Sequence, residues 1–184
     1  MTIEQLVPGF RAETALEREL ASDPTLLLGL AWGRPRRGHP EGTVGRHVGD
    51  ILAAITEPPG PRREQLRFLA LVHDASKYRV RPDAAYSLDN DHAVLARRFA
   101  QRYTGDPRLL QTLALHDAPY YVWRTRGHDG RAAVASVLAR IPDLELFLRF
   151  VELDGSTEGK DPRPLAWLRA VAATRAASGL KLAA

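Results

Sequence analysis

Four of the six histidines in this chain, and several of its aspartates, stand where helical periodicity asks for apolar side chains. They are His47, His73 with the adjacent Asp74, His92, His116 with the adjacent Asp117, and Asp154. Imidazole and carboxylate are ligand types that divalent metals take from proteins. Burying several of them on apolar helix faces is unfavourable unless something inside the bundle satisfies them. A metal ion is the simplest partner for the whole set. The chain has no cysteine, which excludes thiolate zinc sites, disulfides and cysteine nucleophiles together. The remaining His/Asp chemistry admits Mn, Fe, Co, Ni, Zn or Mg.

The elements that must position these residues are helical. Apolar spacing predicts helices over about 11–21, 24–31, 43–56, 62–76, 89–103, 106–117, 129–140, 142–154 and 163–178, with no convincing strand alternation. Breakers separate them, among them Pro58-Pro59-Gly60-Pro61, Pro119 and the Gly155–Pro164 loop. Asp23-Pro24 and Asp106-Pro107 read as cap and first helical residue. His47 lies one turn before Ile51. The Leu66, Leu69, Ala70 stripe arrives at His73, and His92 heads the series Leu95, Ala96, Phe99. Leu109, Leu110 and Leu113 lead to His116, and Phe147, Leu148 and Val151 lead to Asp154. Residues three or four apart share a helix face, so each polar group is expected to point where its apolar neighbours do. One such histidine is usually a hydrogen-bonded core residue, whereas five helices repeating the arrangement point to a shared site. His73-Asp74, His116-Asp117 and Asp154 all fall in last turns, which suits a site at the mouth of a bundle.

The 184 residues suffice for one domain, expected to be an all-α single-domain helical bundle. Its core would be 39–160, with N-terminal helices in 1–38 and a C-terminal helix in 161–184. The N-terminus has early acids and no unbroken apolar run, so no secretory signal is expected. No membrane-spanning stretch is expected either, and a cytoplasmic protein is the default. A formal charge of +4 and a pI near 9.7 suit an anionic substrate. Nucleic acid is the lesser expectation, since no long basic tract occurs.

The ordered pattern His47, the His73-Asp74 pair in LALVHDASKY, and Asp154 in FVELDGS resembles the HD-domain superfamily of metal-dependent phosphohydrolases. The stretch HPEGTVGRHVGDIL is also similar to the start of the HD domain in CCA-adding tRNA nucleotidyltransferases, although no nucleotidyltransferase domain is apparent. The resemblance implies a first divalent metal on His47, His73, Asp74 and Asp154. It implies a second on His92 and His116, with Asp74 bridging. Asp117 would be a ligand, a general acid or an orienting residue, or simply a solvated helix end. Lys77 matches a lysine common after the pair and would hold a phosphate oxygen, where the short bacterial nucleotidases of the family often carry an acid.

The implied activity is hydrolysis of a phosphate mono- or diester in a small nucleotide-like substrate. Asp74, Lys77 and Asp117 would be catalytic, and Arg46, Lys77 and Arg97 would bind phosphate. Tyr120, Tyr121 and Trp123, beside Arg124 and Arg126, either stack a base or pack a loop. His39 and His128 are expected at the surface in Gly-rich loops, and the role of Glu41 is open. Two other functions fit the same residues: an HD-type di-iron oxygenase acting on a polyol or phosphonate, and a non-catalytic nucleotide- or RNA-binding module.

Overall fold

The computed structural model describes residues 1–85 and 87–177. The last residue of the predicted 163–178 helix and the C-terminal residues 178–184 lie outside them. Among the described residues the chain is all-α, a helical bundle without strands. The helices are α1 (Ile3–Leu6), α2 (Ala15–Ala21), α3 (Pro24–Ala31), α4 (Val44–Ala54) and α5 (Pro61–Val72). Then come α6 (His92–Ala100), α7 (Pro107–Leu115), α8 (Ala118–Arg126), α9 (Arg131–Leu138), α10 (Leu144–Gly155) and α11 (Arg163–Ala177).

Local chemistry sets the starts of the helices that carry the site. Oγ1 of Thr43 accepts a hydrogen bond from the backbone N–H of Arg46 (3.3 Å), so α4 begins just before His47. The Asp91 carboxylate accepts from the N–H groups of Ala93 and Val94, so His92 is the first residue of α6. Asp23 and Asp106 cap α3 and α7 with proline following, as the sequence predicts.

Two expectations need correction. The helix predicted over 62–76 ends at Val72, with His73 as its C-cap and a turn carrying Asp74 to Ser76. Pro119, predicted to break structure, instead occupies the first turn of α8, where its missing N–H is no loss. The segment around Tyr120 and Trp123 is therefore helical. Trp123 packs against Trp167 of α11, with ring centroids 5.5 Å apart.

The N-terminal helices complete the bundle. Leu20, Leu26 and Leu30 are fully buried in the main core with Ile51, Leu66, Leu69 and Phe150. Two close approaches bind these helices to the site. A Cβ on Gly29 of α3 would lie 1.9 Å from the carbonyl oxygen of Ala75, next to Asp74. A Cβ on Gly45 of α4 would lie 2.4 Å from the carbonyl oxygen of Leu6. Only glycine permits this packing. A second apolar cluster joins α8, α9 and α11 to the far side of α10 through Val134, Leu138, Phe147 and Leu168.

Candidate metal centre and its cleft

The five helices expected to converge do so. His47 (α4), His73 and Asp74 (end of α5) and His116 (end of α7) are buried, and His92 (α6) is nearly so. Imidazole centroids run in a chain: His47 to His73 at 5.5 Å, His73 to His116 at 5.3 Å, and His116 to His92 at 5.4 Å. Phe150 of α10 lies against His73, 5.3 Å between centroids, and forms an apolar floor.

Asp74 is the centre of this cluster. Its Oδ1 lies 3.6 Å from Nε2 of His92 and 3.8 Å from Nε2 of His116. Its Oδ2 lies 3.5 Å from Nε2 of His73 and accepts a short hydrogen bond from Lys77. Asp154, from the last turn of α10, accepts a hydrogen bond from Nε2 of His47 at 2.9 Å and sits 3.9 Å from Nε2 of His73.

Two histidines have their ring orientation set by backbone carbonyls one turn earlier. Nδ1 of His73 donates to the carbonyl of Ala70 (3.0 Å), and Nδ1 of His116 donates to that of Leu113 (2.8 Å). In each ring Nε2 is thereby turned towards Asp74. Nδ1 of His47, Nε2 of His73, Nε2 of His92 and Oδ1 of Asp74 are buried atoms without a hydrogen-bond partner. Such orphans are unfavourable in an apolar interior and mark a place built for something else to bind.

The ligand atoms of His47, His73 and Asp74 lie within 4.8 Å of one another, as do those of Asp74, His92 and His116. The two groups share Asp74, and either could hold a metal ion. Nitrogen and carboxylate oxygen donors without thiolate suit the first-row divalent ions and zinc.

The electrostatics favour ionised carboxylates at Asp74 and Asp154 and neutral rings at His73 and His92. Burial pushes His73 down to about 4 despite the pull of Asp74 and Asp154, and burial also lowers His92. Burial opposes ionisation of Asp74, but Lys77 and His73 outweigh it and hold the carboxyl well below its usual range. Asp154 is likewise held low, against burial, by His47 and His73. His116 is the exception. Burial disfavours its imidazolium, yet Asp74 and Asp117 raise it to about 8. Lys77 is raised too, since Asp74 more than offsets its burial.

Asp74, His116 and Asp154 of the cluster line an open cleft of about 730 Å³, within the range of small-molecule sites. Lys77 and Asp117 line it as well. Asp117, about half exposed at the start of α8, has Oδ2 3.9 Å from Nε2 of His92. Lys77 reaches the cleft, but its ammonium is engaged by Asp74.

The expected phosphate-binding roles of Arg46 and Arg97 do not fit the geometry. Arg46 is exposed on α4 and Arg97 half-buried on α6, and neither is among the residues lining the cleft. Arg46 is one residue from His47, and Arg97 five from His92. Each therefore lies on a different helix face from its histidine.

The cations at the cleft come largely from residues the sequence did not single out: Arg36 and Arg37, Lys160, and Arg163, together with Arg124. Arg36, Arg37 and Lys160 sit in loops and Arg163 at the start of α11, where periodicity carries no signal, while Arg124 is in the last turn of α8. His39 is also corrected, from surface residue to part of the site rim. The 33–43 loop is drawn over the cluster by bridges Gly33–Thr43 and Arg36–His39. There Nδ1 of His39 donates to Glu41 at 3.0 Å, and the same Glu41 oxygen lies 3.6 Å from Nδ1 of His47. His128 is exposed, as expected, against Trp123.

No helix of the described residues is long and apolar enough to cross a membrane. No protein-family model, curated protein or solved structure matches the chain.

Proposed function

We propose that this protein is an HD-type metal-dependent phosphohydrolase that cleaves a phosphate ester of a small, nucleotide-like substrate. One observation carries the reading: a single buried carboxylate, Asp74, is shared by two His-containing groups at a cation-rimmed cleft. His47, His73, Asp74 and Asp154 would hold a first ion, and Asp74, His92 and His116 a second. A bound divalent ion would supply a Lewis acid for the phosphoryl group and lower the pKa of a coordinated water.

The chain's own residues supply the rest. The ammonium groups of Lys77 and Lys160 and the guanidinium of Arg36 face the cleft near the cluster, where they would offset charge on phosphoryl oxygens. Asp117, half exposed at the cleft with Oδ2 3.9 Å from Nε2 of His92, is the carboxylate placed to exchange a proton with the leaving oxygen. The apolar wall of Val151, Pro119, Leu165 and Leu168 would take the organic part of the substrate.

The test is phosphate release across a panel of nucleotides and sugar phosphates by protein supplied with Mn, Co, Ni, Zn, Fe or Mg. Turnover that EDTA and Asp74→Ala abolish is expected. Four imidazoles around a shared carboxylate also suit a pair of irons. Oxygen uptake with substrate, two irons per chain and no phosphate release would replace this reading with the oxygenase.

A further inference from the structure

The cleft, at about 730 Å³, is larger than one phosphate needs. Six cationic side chains line it: Arg36, Arg37, Lys77, Arg124, Lys160 and Arg163. Four carboxylates face them, and three of these are engaged. Asp74 is held by Lys77, Asp154 by His47 with Lys160 at 3.9 Å, and Asp161 by Arg163.

Arg36 and its neighbour Arg37 have no carboxylate partner among the described residues, and Arg36 stands at the cluster end. It also lines a small hollow with His39, His47, Asp74 and Lys77. At the other end stands Arg124, whose neighbours Tyr120, Asp161 and Arg163 line both the cleft and an adjoining hollow of about 420 Å³. Arg163 is taken by a two-pronged pair with Asp161, at 2.9 Å and 2.6 Å. Arg124 has no carboxylate partner among the described residues. Its guanidinium instead lies over the ring of Tyr120, one turn earlier on α8, 5.8 Å from the ring centroid. The ring orients a charged fork at the cleft's far end and leaves its N–H groups free.

We propose that Arg124, steadied by Tyr120, forms a second subsite that binds a phosphate group other than the one cleaved. The substrate is then a molecule with two separated phosphates, one at the Asp74 cluster and one at Arg124. The cleavage half of this assignment rests on the phosphohydrolase reading; the binding half does not. Planar, multi-donor guanidinium groups match phosphate oxygens better than point charges do, and an aromatic face holding the fork lowers the entropy lost on binding.

The test uses the chelator-treated full chain, so that no turnover intrudes. Adenosine 5′-monophosphate and adenosine 3′,5′-bisphosphate serve as a matched pair of probes in calorimetric titrations. The bisphosphate should bind roughly tenfold more tightly, the scale of one added charged hydrogen-bond pair. Arg124→Gln should collapse that ratio towards one, and Arg124→Lys should restore part of it. Arg46→Gln, exposed and outside the cleft, should keep it. Equal binding of the two probes by the unaltered protein, or an Arg124→Gln variant that retains the ratio, would overturn the subsite. A retained subsite with no phosphate release from any metal-loaded sample would leave the subsite standing and remove the hydrolase reading.

Discussion

Nε2 of His47 donates to Oδ1 of Asp154 across 2.9 Å, joining α4 to the end of α10 although 107 residues separate them. Both groups then face His73, and through it Asp74. The histidines of α6 and α7 approach Asp74 from its other oxygen. The centre is thus two groups joined by one carboxylate, and its parts are expected to fail differently.

Asp74→Ala should abolish metal binding in both groups, whereas His92→Ala should remove binding in one. Elemental analysis and metal titration of the two variants will check this. A ligand that binds only the folded state raises stability by mass action. Added metal should therefore raise the Tm of the unaltered protein and leave that of Asp74→Ala unchanged. Equal metal content in both variants would count against a shared carboxylate.

Glu41 is expected to position His47. It is nearly buried, holds His39 at 3.0 Å and faces Nδ1 of His47 at 3.6 Å. Carboxylates behind metal-binding histidines fix ring orientation, and losing one typically weakens metal binding about 10–100-fold. Glu41→Gln should therefore lower metal affinity by that order and leave the far-ultraviolet circular dichroism unchanged. His39→Ala, which leaves Glu41 in place, should have the smaller effect.

The N-terminal helices are held by a buried ion pair. Glu17 accepts hydrogen bonds from Arg67 Nε at 2.7 Å and Nη2 at 2.8 Å, and Arg67 also donates to the carbonyl of Arg11. Removing one member strands the other's charge, which typically destabilises by about 3–5 kcal/mol. Arg67→Ala should lower the Tm by roughly 10 °C in a chain of this size. The double variant Glu17→Leu/Arg67→Met should recover most of that loss.

Stability should fall in alkali through Tyr103. Burial, with the hydrogen bond to Asp23 at 2.6 Å, raises its phenol from 10.0 to about 12. The folded pKa exceeds the unfolded one, so this contribution is complete below pH 10 and lost as pH rises towards 12. Asp23 behaves oppositely. Burial raises its pKa, but Tyr103, the α3 backbone N–H groups and Arg102 together hold it below 3.8. Its contribution is present above that pH and lost as acid protonates it. Denaturant titrations across pH should show both limbs, and Tyr103→Phe should flatten the alkaline one.

Much of the fold was legible because helical periodicity is local. The stripes leading to His47, His73, His92, His116 and Asp154 placed each group on a buried face, and the bundle brings those faces together. The caps at Asp23 and Asp106 were equally legible, since capping needs only neighbours in the chain. Pro119 was misjudged because proline both ends helices and starts them, and only the packing of Trp123 on Trp167 selects the second role.

By itself, then, the sequence determined an all-α bundle and a set of imidazoles and carboxylates that had to meet inside it, because burial of polar groups demands a partner. Tertiary structure decided which cations reach them. Arg46 and Arg97, adjacent in sequence to the site, turn away on their helices. Arg36, Glu41 and Lys160 arrive from loops whose path no periodicity records. The physical reason is range: hydrophobic pattern and capping act within a few residues, whereas the rim of the cleft is set by contacts between segments far apart in the chain.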